Sequence, residues 1–165
     1  MAPPPPAFDA RHVSPPDAVV TLRSLRRRFA EAFEHAEAPE QVTTAAPSGI
    51  SPLDRAARVA GALQQIGDAL RQVFVADDPT VQLPTAPARG ATGGAVGNPN
   101  TVLERLGQQA QEVADIMSGV HGDDWARTGR DQGRSVSALD IARLGVAIAI
   151  DELKAAESDL GVDHG

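Results

Sequence analysis

One short pattern recurs four times along this chain and constrains its fold more than any other feature. A Ser or Thr is followed by two residues and then an acid at residues 14–17, 51–54, 101–104 and 137–140. In this capping-box pattern the hydroxyl accepts a hydrogen bond from a first-turn amide, and the acid reaches back toward the cap. Pro15 and Pro52 occupy the first helical position, where a missing N–H does no harm. The pattern therefore predicts four helix starts.

Apolar residues recur at spacings of three and four after each cap, as in amphipathic helices. The predicted helices run from about Pro15 to Ala36, Pro52 to Val75, Val102 to Ser118 and Ala138 to Asp159. The last helix is apolar around most of its circumference, so we expect it to contact the other three. The fold class predicted is all-α, a four-helix bundle.

The predicted bundle domain spans residues 14–160, between two tails and across three connectors. Residues 1–13 form a Pro-rich N-terminal tail that we expect to be disordered, and residues 161–165 form a C-terminal tail. The connector at 77–100 is rich in Pro and Gly and too long for a tight antiparallel turn. We therefore interpret it as a long crossover connection, a flexible lid, or both.

Composition excludes several classes of function. The formal net charge of −7 argues against nucleic-acid binding. The chain has no cysteine, which removes disulfides and thiolate metal sites. There is no apolar run of the roughly 20 residues that a membrane span needs, and the N-terminus lacks the features of a signal peptide. We therefore expect a cytoplasmic protein with no membrane partner.

Several segments of the chain resemble the DinB-like superfamily, which includes mycothiol-dependent relatives and the maleylpyruvate isomerase N-terminal domain. The strongest piece is a Trp-x-Arg-x-Gly loop at 125–129, followed by Val-Ser-x-x-Asp-Ile-Ala-Arg at 136–143. With the order of the helices, the resemblance covers residues 14–158. It implies a four-helix bundle with a crossover connection, in an intracellular bacterial protein that is often dimeric.

The resemblance also implies where a metal would be bound. The family holds a divalent metal with one histidine from the second helix and a His-x-x-x-His pair from the fourth. These positions fall on Arg58, and on Ile148 and Glu152, or on Ala147 and Asp151 if the register slips by one. Arg cannot deprotonate to bind a metal, and Ile and Ala carry no donor. We therefore expect no metal ligand and no cofactor.

The same residues are candidates for a ligand pocket. We predict an ion pair between Arg58 and either Asp151 or Glu152; the alternative is that both acids face solvent. Trp125 is predicted to anchor its loop on the bundle as a hydrophobic plug, or else to form a stacking wall for a ligand. Together with the 77–100 connector it would cap any remaining cavity, and His121 could line a pocket mouth. No catalytic residue is predicted.

Three functions compete at this level. The missing histidines favour a pseudoenzyme, a non-catalytic module that binds a small molecule or a protein partner. The first alternative is a metal-dependent hydrolase or a mycothiol-type S-transferase or isomerase. It would hold zinc or nickel with non-standard ligands such as Asp151, Glu152 and His121. The second alternative is a structural homodimer.

Overall fold

The computed structural model describes residues 9–85 and 98–162. Within these ranges the chain forms helices, a short 3-10 helix and one hairpin. In chain order the elements are α1 (Pro15–Glu34), α2 (Glu40–Thr43), α3 (Pro52–Val75), α4 (Pro99–Ser118), the 3-10 helix (Gly122–Ala126), β1 (Thr128–Asp131), β2 (Arg134–Ser137) and α5 (Ala138–Asp159). The predicted all-α four-helix bundle is confirmed, with α1, α3, α4 and α5 as its helices.

Three of the four predicted caps are present. The hydroxyls of Ser14, Ser51 and Ser137 accept hydrogen bonds from the amide three residues later, at 3.3, 3.0 and 3.0 Å. At Ser137 the bond is reciprocal, because Asp140 Oδ2 accepts from the Ser137 amide at 3.1 Å. The bounds predicted for α3 and α5 match the observed ones.

The start predicted for α4 was wrong. The helix begins at Pro99, and the side chain of Asn98 accepts from the amide of Asn100 at 2.8 Å. Asn caps a helix as well as Ser does, and Pro suits the first helical position. The cap therefore lies three residues before Thr101, which had been predicted to serve.

The packing of α5 is unequal among the other bundle helices. α1 packs on α4 and α5, and α3 also packs on α4 and α5, so α4 and α5 lie diagonally across the bundle. The main contacts of α5 with other bundle helices are those with α1 and α3. The remaining side of its broad apolar surface is covered by the 3-10 helix and by β2.

Neighbouring side chains fix the direction of the helices. Arg105 of α4 bonds Gln64 of α3 at 3.4 Å, and Glu112 lies 3.5 Å from Arg71, so α3 and α4 run parallel. The 24 residues of α3 make a helix about 36 Å long. The end of α3 and the start of α4 consequently lie at opposite ends of the bundle. This makes the connection between α3 and α4 the crossover that the sequence predicted.

The connectors hold structure that the sequence analysis missed. Besides the one-turn α2, β1 and β2 pair antiparallel, with Thr128 opposite Ser137. Gln132 and Gly133 form the turn with φ of 51° and 81°, the left-handed conformation that two-residue hairpin turns need. The Gly-rich part of the crossover, residues 86–97, lies outside the described residues, and so does the prediction of a lid there.

The core is almost entirely aliphatic and draws on every bundle helix. Its largest fully buried side chains are Phe29, Leu22, Leu25, Leu53, Leu63, Ile66, Leu70, Leu106, Ile141 and Leu153. Each such side chain contributes about 1.5–3 kcal/mol by burial. No helix among the described residues has the length and apolarity that crossing a membrane would need.

The predicted tails are described only in part. Residues 1–8 and 163–165 lie outside the described ranges, and with them most of both predicted tails. Residues 9–13 are described and contact the bundle: Ala10 is buried, and Arg143 Nε of α5 donates to the carbonyl oxygen of Val13 at 3.0 Å.

Candidate ligand-binding cavity

A cavity of about 280 Å³ lies between α3 and α5. Arg58, Gly61, Ala62 and Gln65 border it from α3, at the three- and four-residue spacing that puts side chains on one helical face. Ile148 and Glu152, four residues apart, border it from α5, and Pro84 and Thr85 close one side. The cavity is therefore formed by two helices and the start of the crossover.

Glu152 is held by an arginine that the sequence analysis did not consider. Arg55 Nη1 lies 3.0 Å from Glu152 Oε2, and Arg55 Nε lies 3.4 Å from Asp159 Oδ2. Arg55 Nη2 also donates to the hydroxyl of Ser48 at 3.1 Å. The side chains of Arg55 and Glu152 are only 11% and 13% exposed. Glu152 therefore neither faces solvent nor pairs with Arg58, and both predictions for it were wrong.

Arg55, rather than Arg58, pairs with Glu152 because it can contact three partners at once. Arg55 and Arg58 lie three residues apart on the same face of α3. Arg55 is one turn closer to the start of α3, where the end of α5 and the loop before α3 also lie. Its rigid fork of donors reaches Glu152, Asp159 and Ser48 at once. These partners lie in other segments of the chain, so the sequence alone could not show that they meet at Arg55.

Arg58 borders the cavity without a charged partner. Its side chain is half-buried. Among residues 9–85 and 98–162, the ion pairs found do not include Arg58, and Asp151 makes contacts of its own. A guanidinium is charged at every physiological pH. The cavity wall therefore carries one cation whose charge is not compensated by a direct contact.

The two registers left open by the sequence are separated in the structure. Ile148 and Glu152 border the cavity with Arg58. Ala147 instead borders a groove on the other side of α5, near the start of α1, with Asp9 and Arg143. Asp151 is half-buried and is not among the described residues that border the cavity. The first register is the one that gathers the three positions in one place.

Trp125 and His121 lie at a different site. They border a cleft of about 510 Å³ at the end of the bundle, together with Pro15, Val19 and Met117. The structure therefore brings Arg58 and Glu152 together but leaves Trp125 and His121 apart from them. Trp125 does not cap the cavity between α3 and α5, contrary to the prediction. Pro84 and Thr85 of the crossover do border it.

The Trp-x-Arg-x-Gly loop fastens the end of α3. The Trp125 ring packs edge to face on Phe74, with ring centroids 6.4 Å apart, as predicted for a plug. Arg127 Nε donates to the carbonyl oxygen of Val73 at 2.8 Å, and Nη2 donates to that of Ala76 at 3.1 Å. The last carbonyl groups of a helix have no partner within it. Arg127 supplies one, a role that sequence reasoning did not foresee.

The same loop holds the beginning of a segment that reaches the cavity. We call residues 80–85 the strap. The Val81 amide donates to the carbonyl oxygen of Arg130 at 2.9 Å, and the Arg130 amide donates to that of Pro79 at 2.8 Å. Val81 is 2% exposed. The strap is thus anchored on β1 at one end and borders the cavity at the other.

Comparison with known proteins supports the fold. No family model matches the chain, and no curated protein matches it. Among solved structures the chain is similar to YfiT from Bacillus subtilis, described as a probable metal-dependent hydrolase with an unusual four-helix bundle topology. The TM-score is 0.74 at 10% identity, over 98% of this chain and 91% of that one.

The chain therefore shares the four-helix bundle topology of YfiT. The likeness to YfiT extends over nearly the whole of both chains, and at this identity it speaks for the fold alone. It agrees with the order of helices and the crossover found here.

The residues around the cavity do not suit the three-histidine metal site that the resemblance in the sequence implied. Arg58 cannot give up its proton to bind a cation, and Ile148 has no donor atom. Glu152 is bound by Arg55. In the ranges that the structure describes, no three His, Cys, Asp or Glu side chains are grouped so that they could hold a metal ion. The donors needed for a divalent transition metal are imidazole, thiolate or carboxylate groups brought together.

Proposed function

We propose that this protein is a non-catalytic binding module of DinB-like fold that takes up a small molecule in the cavity between α3 and α5. The observation that carries the proposal is the composition of the cavity wall. It combines small and apolar residues with Glu152, whose charge Arg55 balances, and with Arg58, which has no ion-pair partner in the part of the chain that the structure describes. Ligand sites are typically apolar cavities with a few polar groups that set orientation.

The first part of the test concerns the absence of catalysis through a metal. Metal analysis of the purified full-length protein should find less than one transition-metal ion per chain. Zinc, nickel and low-molecular-weight thiols should leave the thermal midpoint unchanged, because a ligand that binds only the native state raises it. One tightly held metal per chain, or a rise with zinc or nickel, would contradict the proposal.

The second part concerns the cavity. Gly61 borders it, and a Cβ atom built at this position meets nothing within 4 Å. Gly61→Leu should therefore fill the cavity without disturbing α3. In NMR titrations with a library of small polar fragments, fragments that bind should perturb amides near Gly61 and Thr85 in the wild type. The perturbations should disappear in Gly61→Leu. Binding that survives this substitution would place the ligand elsewhere.

A metal-dependent hydrolase or thiol S-transferase is the second candidate function. The likeness to YfiT, which is described as a probable metal-dependent hydrolase, is the observation in its favour. The cavity wall speaks against it: Arg58 and Ile148 offer no atom that can bind a metal, and Glu152 is already paired with Arg55. A homodimer remains a prediction that light scattering across a dilution series would test.

A further inference from the structure

We propose that the ligand of this cavity is a small monocarboxylate, with its carboxylate on Arg58 and an uncharged hydrogen-bonding group at its other end. This inference rests on the proposed function, since it names the class of molecule that the cavity binds. It follows from three features: the guanidinium of Arg58, which forms no ion pair within the described ranges, the acid Glu152 paired with Arg55, and a second cavity next to the first.

Arg58 supplies the attraction for an anion. Arg58 is half-buried and borders the cavity with Gly61, Ala62 and Ile148, none of which can bond its guanidinium through a side chain. A charge removed from water is costly unless it is paired and hydrogen-bonded. The planar fork of Arg matches a carboxylate, which accepts two parallel hydrogen bonds from it. A carboxylate would therefore complete this site, whereas a cation would be repelled.

Glu152 would normally repel the same ligand, and its pairing with Arg55 weakens that repulsion. The contact of 3.0 Å between Arg55 and Glu152 places a cation directly on the carboxylate. Both side chains are nearly buried, so solvent screens their attraction only weakly. Arg55 thus balances the charge of Glu152 at the cavity wall, while Arg58 remains available to a ligand. Although they lie one turn apart, Arg55 pairs with Glu152, whereas Arg58 would bind the ligand.

The size and surroundings of the cavity limit the ligand further. A volume of about 280 Å³ has room for about nine water-sized groups. An adjoining cavity of about 390 Å³ shares Gln65 and Thr85 with it. Its wall includes Thr80, Gln82 and Asp131. Neutral donors and acceptors can bond a hydroxyl or amide there, whereas Asp131 would repel a second carboxylate.

A matched set of probes tests the ligand class. We would titrate the full-length protein with ω-hydroxyhexanoate, its neutral amide, and adipate, following backbone amides of α3 and the strap by NMR. The amide should bind at least about tenfold more weakly than the acid, because a charge-assisted bond is lost. Adipate should bind more weakly than ω-hydroxyhexanoate. Equal binding of acid and amide would overturn the inference.

Two variants that change the charge of the cavity wall in opposite directions should change binding in opposite directions, which misfolding would not do. Arg58→Gln should weaken binding of ω-hydroxyhexanoate by about tenfold. Arg105→Gln makes the same charge change at an exposed position of α4 and should leave binding unchanged. Glu152→Gln should tighten binding by about twofold or more, because a negative charge leaves the wall. Arg55 still contacts Asp159 in that variant.

The outcomes separate this inference from the proposed function. If Arg58→Gln binds as the wild type does, or if Glu152→Gln weakens binding, the carboxylate assignment fails. The same holds if ω-hydroxyhexanoate does not bind at all. The binding function itself would stand in each case if neutral fragments still occupied the cavity and Gly61→Leu displaced them. A stoichiometric metal would instead overturn the proposed function.

Discussion

Arg55 and Glu152 form an ion pair of 3.0 Å that joins α3 to α5 at the edge of the cavity. The pair decides two properties of the molecule at once. It fixes the two helices against each other near one end of the bundle, and Arg58 has no ion-pair partner among residues 9–85 and 98–162. The stability of the fold and the charge of the cavity wall are therefore connected through one arginine.

Arg55→Met should be strongly destabilising, because it leaves Glu152 and Asp159 as uncompensated charges in a nearly buried place. We expect a loss of about 3 kcal/mol in the free energy of unfolding. Glu152→Gln should cost only about 1 kcal/mol, because Arg55 keeps its contacts with Asp159 and Ser48. Urea denaturation of both variants measures the difference. Equal losses would mean that Arg55 acts through Glu152 alone.

Two glycines inside bundle helices should respond in opposite ways to alanine. At Gly61 an added Cβ atom meets nothing within 4 Å, and at Gly145 it would lie 3.3 Å from two atoms of Ile66. Gly61→Ala should raise the free energy of unfolding by about 0.5–1 kcal/mol through helix propensity alone.

Gly145→Ala should lower the free energy of unfolding by about 1–2 kcal/mol, because Ile66 is fully buried and cannot move aside. Each variant serves as the control for the other in thermal or urea denaturation. A gain in stability at Gly145 would show that α3 and α5 can move apart.

The sequence predicted those parts of the fold that depend on local chemistry. Ser51 and Ser137 lie directly before their helices, so the starts of α3 and α5 could be located from cap and periodicity together. α4 was placed wrongly because Thr101 competed with Asn98, and both are good caps. The hairpin was missed because its strands, TGRD and RSVS, carry almost no apolar alternation.

The cavity was predicted less well, since its geometry depends on long-range contacts. Arg58, Ile148 and Glu152 do border one cavity, as their spacing on two helices suggested. The choice between Arg55 and Arg58 as the partner of Glu152 depends on how α3 and α5 are shifted along each other. Trp125 was predicted to cap this cavity but borders another cleft, because its packing on Phe74 joins residues far apart in the chain.

Asp9, the first described residue, should titrate at a lower pH than an ordinary aspartate. Arg11 hydrogen-bonds the carboxylate of Asp9 at 2.9 and 2.8 Å and so holds the pKa of Asp9 well below its ordinary value. Because the folded pKa is the lower one, the contribution to stability is present above the unfolded pKa. It disappears as the pH falls through the folded pKa.

An NMR titration of the Asp9 carboxyl carbon measures this shift directly. Arg11→Gln should return the midpoint to the ordinary range of an aspartate. The change in stability should be small, since the pair is exposed and screened by solvent. A titration of Asp9 that does not respond to Arg11→Gln would contradict the pairing.

Arg127 should matter for both stability and the cavity, because it connects the Trp loop to the end of α3. Arg127→Met removes the donors to the carbonyl oxygens of Val73 and Ala76, and we expect a loss of about 1–3 kcal/mol. Arg127→Lys should recover only part of it, since an ammonium group lacks the fixed fork that reaches both oxygens. Arg134→Met, at an exposed hairpin position, is the matched control.

The same substitution should also loosen the strap. Gly129 lies two residues after Arg127, and an added Cβ atom there would lie 3.0 Å from the Pro79 carbonyl oxygen and 3.4 Å from Val81 Cγ1 of the strap. The loop and the strap are therefore in close contact, and movement of one displaces the other. Amide hydrogen exchange should become faster at Val81 and Arg130 in Arg127→Met, while α1 keeps its protection. Unchanged exchange at Val81 would show that β1 alone anchors the strap.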